Sequence, residues 1–329
     1  MAETDPVAAS PPVAHPVLAE VVRSGFVEGR HRGSIVGVGP SGEVTHALGS
    51  VGEPMFARSC LKPLQAVGML EQGLRLRTDL LAVACASHSG QRRHTRRVVE
   101  ILNSVGLDES ALQTPPDWPL EDRVRDGVLR AGGTANPLLM NCSGKHAAML
   151  ATCVVNGWST HDYLDPRHPL QQAVVDAVAR LAGPVGPVGA DGCGAPLLGT
   201  SLTALARAFL GLATADSGPG AEVASAIRGR PDLVSGSRRD ERRLLDAVPG
   251  AVAKAGAEAC YVVAVPGRGA VALKIDDGSP RARPVVMAAA LQAWGLLDAP
   301  GVDVEAVGAT GRHVLSSRGR PVGVVVARL

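Results

Sequence analysis

The sequence predicts an α+β fold: one antiparallel sheet assembled from both chain ends, with a helical region inserted between them. Three observations carry this. Residues 17–48 read as strands, residues 95–212 are dominated by helical periodicity, and short β-type runs return from Ala251 onward. No internal repeat and no linker interrupt the chain after residue 16. The 329 residues, 46% of them hydrophobic, suffice for one large domain over 17–329.

Taken in order, Met1 to Pro16 is polar and Pro/Ala-rich and reads as a disordered tail. Val17 to Val27 is Val/Leu-rich and reads as a strand. Gly33 to Val38 and Glu43 to Leu48 flank Gly39-Pro40-Ser41-Gly42 and predict a hairpin. A helix is expected to begin near Ser59, because Leu64, Val67, Met69 and Leu70 share one face and Pro63 is tolerated only in a first turn. Leu80 to Ala86 is a short apolar run that ends at Ser87-His88-Ser89-Gly90, a polar turn closing a strand. Helices follow over Thr95 to Val105, Lys145 to Asn156, Pro169 to Leu181 and Leu197 to Leu212. Strands are expected at Ala251 to Ala255, Ala259 to Val265 and Ala270 to Ile275, then a helix over Pro284 to Leu296 and a strand over Val322 to Ala327.

Composition excludes several classes. Formal net charge is +2, which argues against a dedicated nucleic-acid binder. Gln91-Arg92-Arg93-His94-Thr95-Arg96-Arg97 and Arg238-Arg239-Asp240-Glu241-Arg242-Arg243 read as solvated helix faces, since no aromatics are interleaved. No apolar run reaches the length of a membrane span, and the N-terminus lacks a signal-peptide pattern. The six cysteines are scattered, so reduced thiols and a cytoplasmic location are expected. Aromatics are only 2%, so the core rests on Ala, Val and Leu.

The chemistry-bearing stretches cluster around lysine. Only four of the 33 basic residues are lysines: Lys62, Lys145, Lys254 and Lys274. Arginine cannot act as a base and lysine can, so a surviving lysine marks a position arginine cannot fill. Ser59-x-x-Lys62 places hydroxyl and amine one helical turn apart, where a neutral amine can take the hydroxyl proton. Ser87-His88-Ser89 and Lys254-Ala255-Gly256 follow in the order of the serine acyl-transfer set S-x-x-K, S-D-N, K-T-G, as approximate matches. Asn141-Cys142-Ser143-Gly144-Lys145-His146 and Asp191-Gly192-Cys193-Gly194 are tight turns. Their two cysteines, with a histidine or carboxylate, are candidate zinc ligands, although no C-x-x-C spacing is present. Cys60, Cys85, Cys153 and Cys260 lie in apolar contexts and read as core.

Phe56-Ala57-Arg58-Ser59-Cys60-Leu61-Lys62-Pro63, Ser87-His88-Ser89-Gly90, Asn141 to Leu150 and Asp191 to Pro196, with Arg230 to Gly236 and Ala253 to Glu258, resemble the signature blocks of the L-asparaginase II family, the Rhizobium etli-type asparaginases. The resemblance runs in order from about residue 18 to the C-terminus. It implies a serine β-lactamase/glutaminase-like fold, with 17–329 as the catalytic domain. The implied activity is hydrolysis of L-asparagine to L-aspartate and ammonia. It further implies Ser59 and Lys62 as a Ser–Lys pair with Ser59 the nucleophile, and a second pair between Ser87 or Ser89 and Lys145. Zinc would be held by Cys142, Lys145, Cys193 and a water. Asp191 would stand behind the zinc ligands or meet the substrate amine; Arg58 and His146 would hold its carboxylate or orient the site; His88 and Lys254 would line the substrate site. Gln91 departs from the acidic residue expected after the Ser-His-Ser-Gly turn. The alternatives are a glutaminase or penicillin-recognising serine amidohydrolase, and an inactive zinc- or amino-acid-binding relative. A homodimer is the expected assembly.

Overall fold

A computed structural model describes residues 14–329. The expected tail lies, up to residue 13, outside the described residues. At its end, His15 Nδ1 shares a 2.9 Å hydrogen bond with Asp276.

The chain opens with β1 (Val17–Arg23) and β2 (Phe26–Val38). The single strand expected over Val17 to Val27 is therefore broken. Gly25, at φ 81°, allows a tight reversal that sends the chain back antiparallel. Then come β3 (Val44–Leu48), β4 (Met55–Phe56), a 3₁₀ turn (Arg58–Leu61) and α1 (Lys62–Glu71), with Pro63 in the first turn of α1 as its fixed φ requires. The helical insert continues with α2 (Thr78–Ala84), α3 (Arg92–Asn103), α4 (Asp122–Arg130), α5 (Ser143–Val155) and α6 (Pro169–Ala182). After β5 (Val188–Ala190) and β6 (Pro196–Thr200) come α7 (Leu202–Thr214), α8 (Gly218–Gly229), α9 (Pro231–Val234) and α10 (Asp240–Ala247). The chain returns to the sheet with β7 (Val252–Ala255), β8 (Cys260–Val265) and β9 (Gly269–Ile275), then α11 (Ala282–Ala293), α12 (Val304–Thr310), β10 (His313–Ser317) and β11 (Arg320–Ala327).

The main sheet has eight strands in the order β10-β11-β1-β2-β9-β8-β7, with β3 also paired to β2. Every pairing is antiparallel. Both chain ends meet at β1 and β11, as the sequence predicts. β8 is buried along its whole length and β9 at all but Lys274, so both faces need cover. α7 and α11 supply it. α1, α2, α3, α5, α6 and α8 pack together as the helical layer.

Two further expectations are corrected. Leu80 to Ala86 is not a strand: its residues up to Ala84 belong to α2, a helix buried between α3, α5 and α8, where continuous apolarity is the rule for either element. The helix expected from Leu197 begins at Leu202. Ser201 caps it by accepting the Ala204 N–H at 3.1 Å, which leaves Pro196–Thr200 free to pair as β6.

Candidate active site

Ser59 sits in the 3₁₀ turn that leads into α1. The residue before it, Arg58, has φ 52°, a left-handed conformation that costs a non-glycine residue about 1–3 kcal/mol. Glu258 (φ 55°) and Ala259 (φ 51°) are strained in the same way and line the same cavity as Ser59. The turn is docked onto β7, an edge strand of the sheet. Cys60 Sγ donates to the Lys254 carbonyl at 3.1 Å, and Gly256 admits the Ala57 carbonyl where a Cβ would come within 2.8 Å. Cys60, expected as core, is core with this one directed contact.

The cavity encloses about 530 Å³. Ser59 and Ser87 both open onto it, with Asn141, Arg239, Asp240 and Arg283 on its wall. Lys62 is 2% exposed; its Nζ donates to the Ala86 carbonyl at 2.6 Å and to Ser87 Oγ at 3.2 Å. The structure thus holds the Lys62 amine against Ser87, one helical turn from Ser59. Lys145 is not brought to a serine of this turn. Its Nζ lies 3.2 Å from Cys193 Sγ. Ser89 is turned away: its Oγ donates to the Ser235 carbonyl at 2.9 Å, and Gly236 is the only residue type that leaves room for it.

His88 is wholly buried, with Nε2 sharing a 2.9 Å hydrogen bond with Ser143 and Nδ1 accepting from the Gly90 N–H at 3.1 Å. It ties the Ser87 turn to the start of α5 and does not line the cavity. Its ring stacks on that of His94 at 5.3 Å. Burial holds His88 well below the usual histidine range and pushes His94 down to about 4. An unfolded histidine titrates near 6.5. Because the folded pKa of His94 is depressed, its contribution is fully present above pH 6.5 and is lost as pH falls towards 4. Lowering the pH from 7 to 5 is expected to reduce unfolding free energy by about 2 kcal/mol from His94 alone. Urea midpoints at the two pH values check this. His94→Gln should shrink the difference by about that amount, with His88 and His146 supplying the rest; an unchanged difference removes His94 as a contributor.

Arg58 is held by Asp191, with guanidinium contacts of 2.8 and 3.1 Å to one carboxylate oxygen. Burial pushes the Asp191 carboxyl up, but Lys145 and Arg58 outweigh burial and keep it below its usual value. Cys142 and Cys193 form a small buried cluster with Met140, Ala195 and Leu164. The neighbouring Cys193 holds the Cys142 thiol well below its usual value against burial, with Lys62 and Lys145 adding to it, while Cys142 and burial raise Cys193. Burial pushes the Lys145 amine down, but the adjacent Cys193 and Cys142 outweigh it and raise the amine. His146 Nδ1 bonds Tyr163 Oη at 2.8 Å; its Nε2 is buried without a partner, and burial brings the ring to about 4. Gly144 lets α5 start here, since a Cβ would collide with the Val83 carbonyl of α2. Among the described residues no group of three or more His, Cys, Asp and Glu could hold a metal ion; a lysine-containing set falls outside that description.

The Arg238 to Arg243 run is not a solvated face throughout. Glu241 is 0% exposed and pairs with the equally buried Lys254 at 2.9 Å. Arg239 donates to the Ser87 carbonyl at 2.6 Å. Asp240 accepts from Arg283 at 2.7 Å. The signal in the sequence was Lys254 itself: a lysine inside an apolar strand demands a carboxylate from elsewhere. Gln91 also has a structural task. Its Nε2 donates to Ser237 Oγ at 2.6 Å and to Glu121 at 3.2 Å, bracing the cavity wall.

No helix among the described residues is long and apolar enough to cross a membrane. No curated protein matches the chain. Among solved structures, Mglu in its native form is similar at 15% identity with a TM-score of 0.43, over 80% of this chain and 64% of that one, so the chain spans under two thirds of Mglu. A β-lactamase from Mycobacterium bovis is similar at 12% identity with a TM-score of 0.35, over 80% of this chain and 94% of that one. The decisive match is in sequence. The profile described as L-asparaginase II aligns over residues 19–327, taking in the Ser59 turn, the Ser87 turn, the cysteine pair and Lys254. The chain belongs to the L-asparaginase II family.

Proposed function

We propose that this chain hydrolyses the side-chain amide of L-asparagine to L-aspartate and ammonia through a serine acyl-enzyme. Family membership supports an amidohydrolase. The observation that carries the finer reading is the cavity onto which Ser59 and Ser87 both open, with the Lys62 amine beside Ser87. In the first half-reaction Ser59 Oγ attacks the amide carbon, and its proton passes by Ser87 and Lys62 to the leaving nitrogen, which departs as ammonia. In the second, water attacks the ester, the same groups carry its proton back to Ser59 Oγ, and L-aspartate leaves. The strained Arg58 aims the nucleophile by fixing the backbone at its root.

Ammonia release from L-asparagine, with L-glutamine alongside, tests the substrate. Ser59→Ala is expected to abolish turnover and Ser87→Ala to lower it by about 10²–10³-fold, the usual scale for a proton-transfer partner. Mass spectrometry of quenched enzyme locates the acyl group. Acyl transfer to Ser87 would exchange the two roles, and substantial turnover by Ser59→Ala would remove Ser59 as nucleophile.

Cys142, Lys145 and Cys193 are the residues that would hold a zinc ion. The donor chemistry fits: two buried thiols, the Cys142 one held well below its usual value, and an amine 3.2 Å from the Cys193 sulfur. Bound there, zinc would supply a fixed positive charge next to Asp191 and Lys62. Purified protein is expected to carry about one zinc per chain and Cys142→Ser to lose it. Metal-free protein of full activity and stability would separate the cysteine cluster from zinc.

A further inference from the structure

We propose that Arg239 and Arg283 form the recognition site for the substrate's α-carboxylate, so that the enzyme selects amides carried by a free α-amino acid. This rests on the reading of the chain as an asparagine amidohydrolase and names the part of the cavity that sets its substrate class.

The argument begins with charge. Part of the cavity wall comes from the start of α10 and the start of α11. Here Lys254 pairs with Glu241 at 2.9 Å, and Arg283 pairs with both oxygens of Asp240 at 2.7 Å. Each pair sums to zero. Arg239 is left over. Its nearest carboxylate oxygen is Glu241 Oε2 at 3.8 Å, beyond hydrogen-bond reach, and its short contact is to the neutral Ser87 carbonyl. A half-buried guanidinium on a cavity wall without its own carboxylate calls for an anion from the ligand.

Hydrogen bonding gives the second, independent observation. Arg283 is 7% exposed, lines the cavity, and its Nε has no partner. A buried guanidinium N–H left unmade is costly, and a ligand oxygen would satisfy it. The Arg283 guanidinium is held by the Tyr261 ring, 5.1 Å away, and by Asp240, so its position on the cavity wall is fixed before a ligand arrives. Burial pushes the Asp240 carboxyl up, but Arg283 and Arg239 outweigh this and keep it ionised.

Position gives the third. Arg239 holds the carbonyl of Ser87, so a carboxylate on Arg239 lies one residue from the reacting hydroxyls. That suits a short side chain between carboxylate and amide. The other cavity carboxylates, the half-buried Glu121 and exposed Glu258, suit the substrate ammonium. Arg58 and His146, which the family resemblance suggested for the carboxylate, are not among the residues that line this cavity, and Arg58 is already engaged by Asp191.

The test compares L-asparagine with 3-aminopropanamide, the same amide lacking the α-carboxylate. Wild-type enzyme is expected to favour L-asparagine in kcat/KM by at least about 10³-fold. Arg239→Gln should cut that ratio by about 10²-fold, chiefly through KM for L-asparagine. Taking a ratio cancels any disturbance of Ser87. As a check free of folding defects, L-aspartate should inhibit wild-type enzyme far more tightly than β-alanine. An unchanged ratio in a folded Arg239→Gln variant, or equal inhibition by the two acids, overturns the proposal while leaving the amidohydrolase reading intact. Silence of wild-type enzyme with every amide overturns that reading and the proposal with it.

Discussion

Lys62→Met is expected to lower kcat for ammonia release by about 10³–10⁴-fold with KM nearly unchanged, the pattern of a group that acts in the transition state. Methionine keeps the unbranched stem, and Lys62 is 98% buried in a wall that needs that stem. The substitution leaves the Ala86 carbonyl without its 2.6 Å donor, at a cost of about 1–3 kcal/mol, which a domain of this size tolerates. What it removes is the amine beside Ser87 Oγ, a basic nitrogen that touches a hydroxyl of the cavity. Lys62→Arg is expected to be as inactive as Lys62→Met, because a guanidinium restores charge but cannot take up a proton at neutral pH. That pair of variants separates charge from basicity. Activity recovered by arginine would make Lys62 an electrostatic anchor; more than a tenth of wild-type activity in Lys62→Met would take the residue out of the proton path.

The parts of this site that were legible in the sequence share a cause. Ser59 and Lys62 lie in one short motif whose spacing is enforced by a single turn, so local geometry is enough to set them one turn apart, whereas Lys62 meets Ser87 across 25 positions and Lys145 meets Cys193 across 48. The sheet built from both chain ends was legible because strand runs bracket the helical periodicity, and chain-end strands must pair with something. What was not legible depends on contacts distant in sequence. Arg239 meets Ser87 across 152 positions, and Arg283 meets Asp240 across 43. In the linear text Arg238 to Arg243 is a string of charges indistinguishable from a solvated helix face. Only the approach of β7 turns one side of α10 inward and buries Glu241. The α2 segment shows the same limit from the other side: a run buried on every face has no period, so helix and strand read alike. Ser201 shows a third: it fell inside the helix expected from Leu197, because the strand ahead of it exists only where β4 and β5 supply partners.

Removing either member of the Glu241–Lys254 pair is expected to cost about 3–5 kcal/mol, and removing both to recover most of it. The two side chains are each 0% exposed, 2.9 Å apart. Glu241 Oε1 also accepts the Ala255 N–H at 3.2 Å, while Lys254 Nζ donates to the Ala255 carbonyl at 2.9 Å, so the pair is stitched to the end of β7. Lys254→Met leaves a carboxylate in an apolar wall with one backbone donor. Glu241→Leu leaves an amine that burial already pushes down, with Arg239 and Lys62 adding to burial and only Glu241 opposing it. That amine can shed its proton, so Glu241→Leu is expected at the lower end of the range and Lys254→Met at the upper. The double variant replaces charge by volume, and urea midpoints for the four proteins give the coupling directly. Activity then separates two roles that stability alone merges. β7 supports the Ser59 turn through its backbone, the Lys254 carbonyl receiving Cys60 Sγ, and that contact survives in Lys254→Met. If Lys254 only braces the turn, the double variant regains activity along with stability. If the Lys254 amine takes part in catalysis, the double variant is stable and inactive. A double variant no more stable than the singles would show that the pair is not coupled.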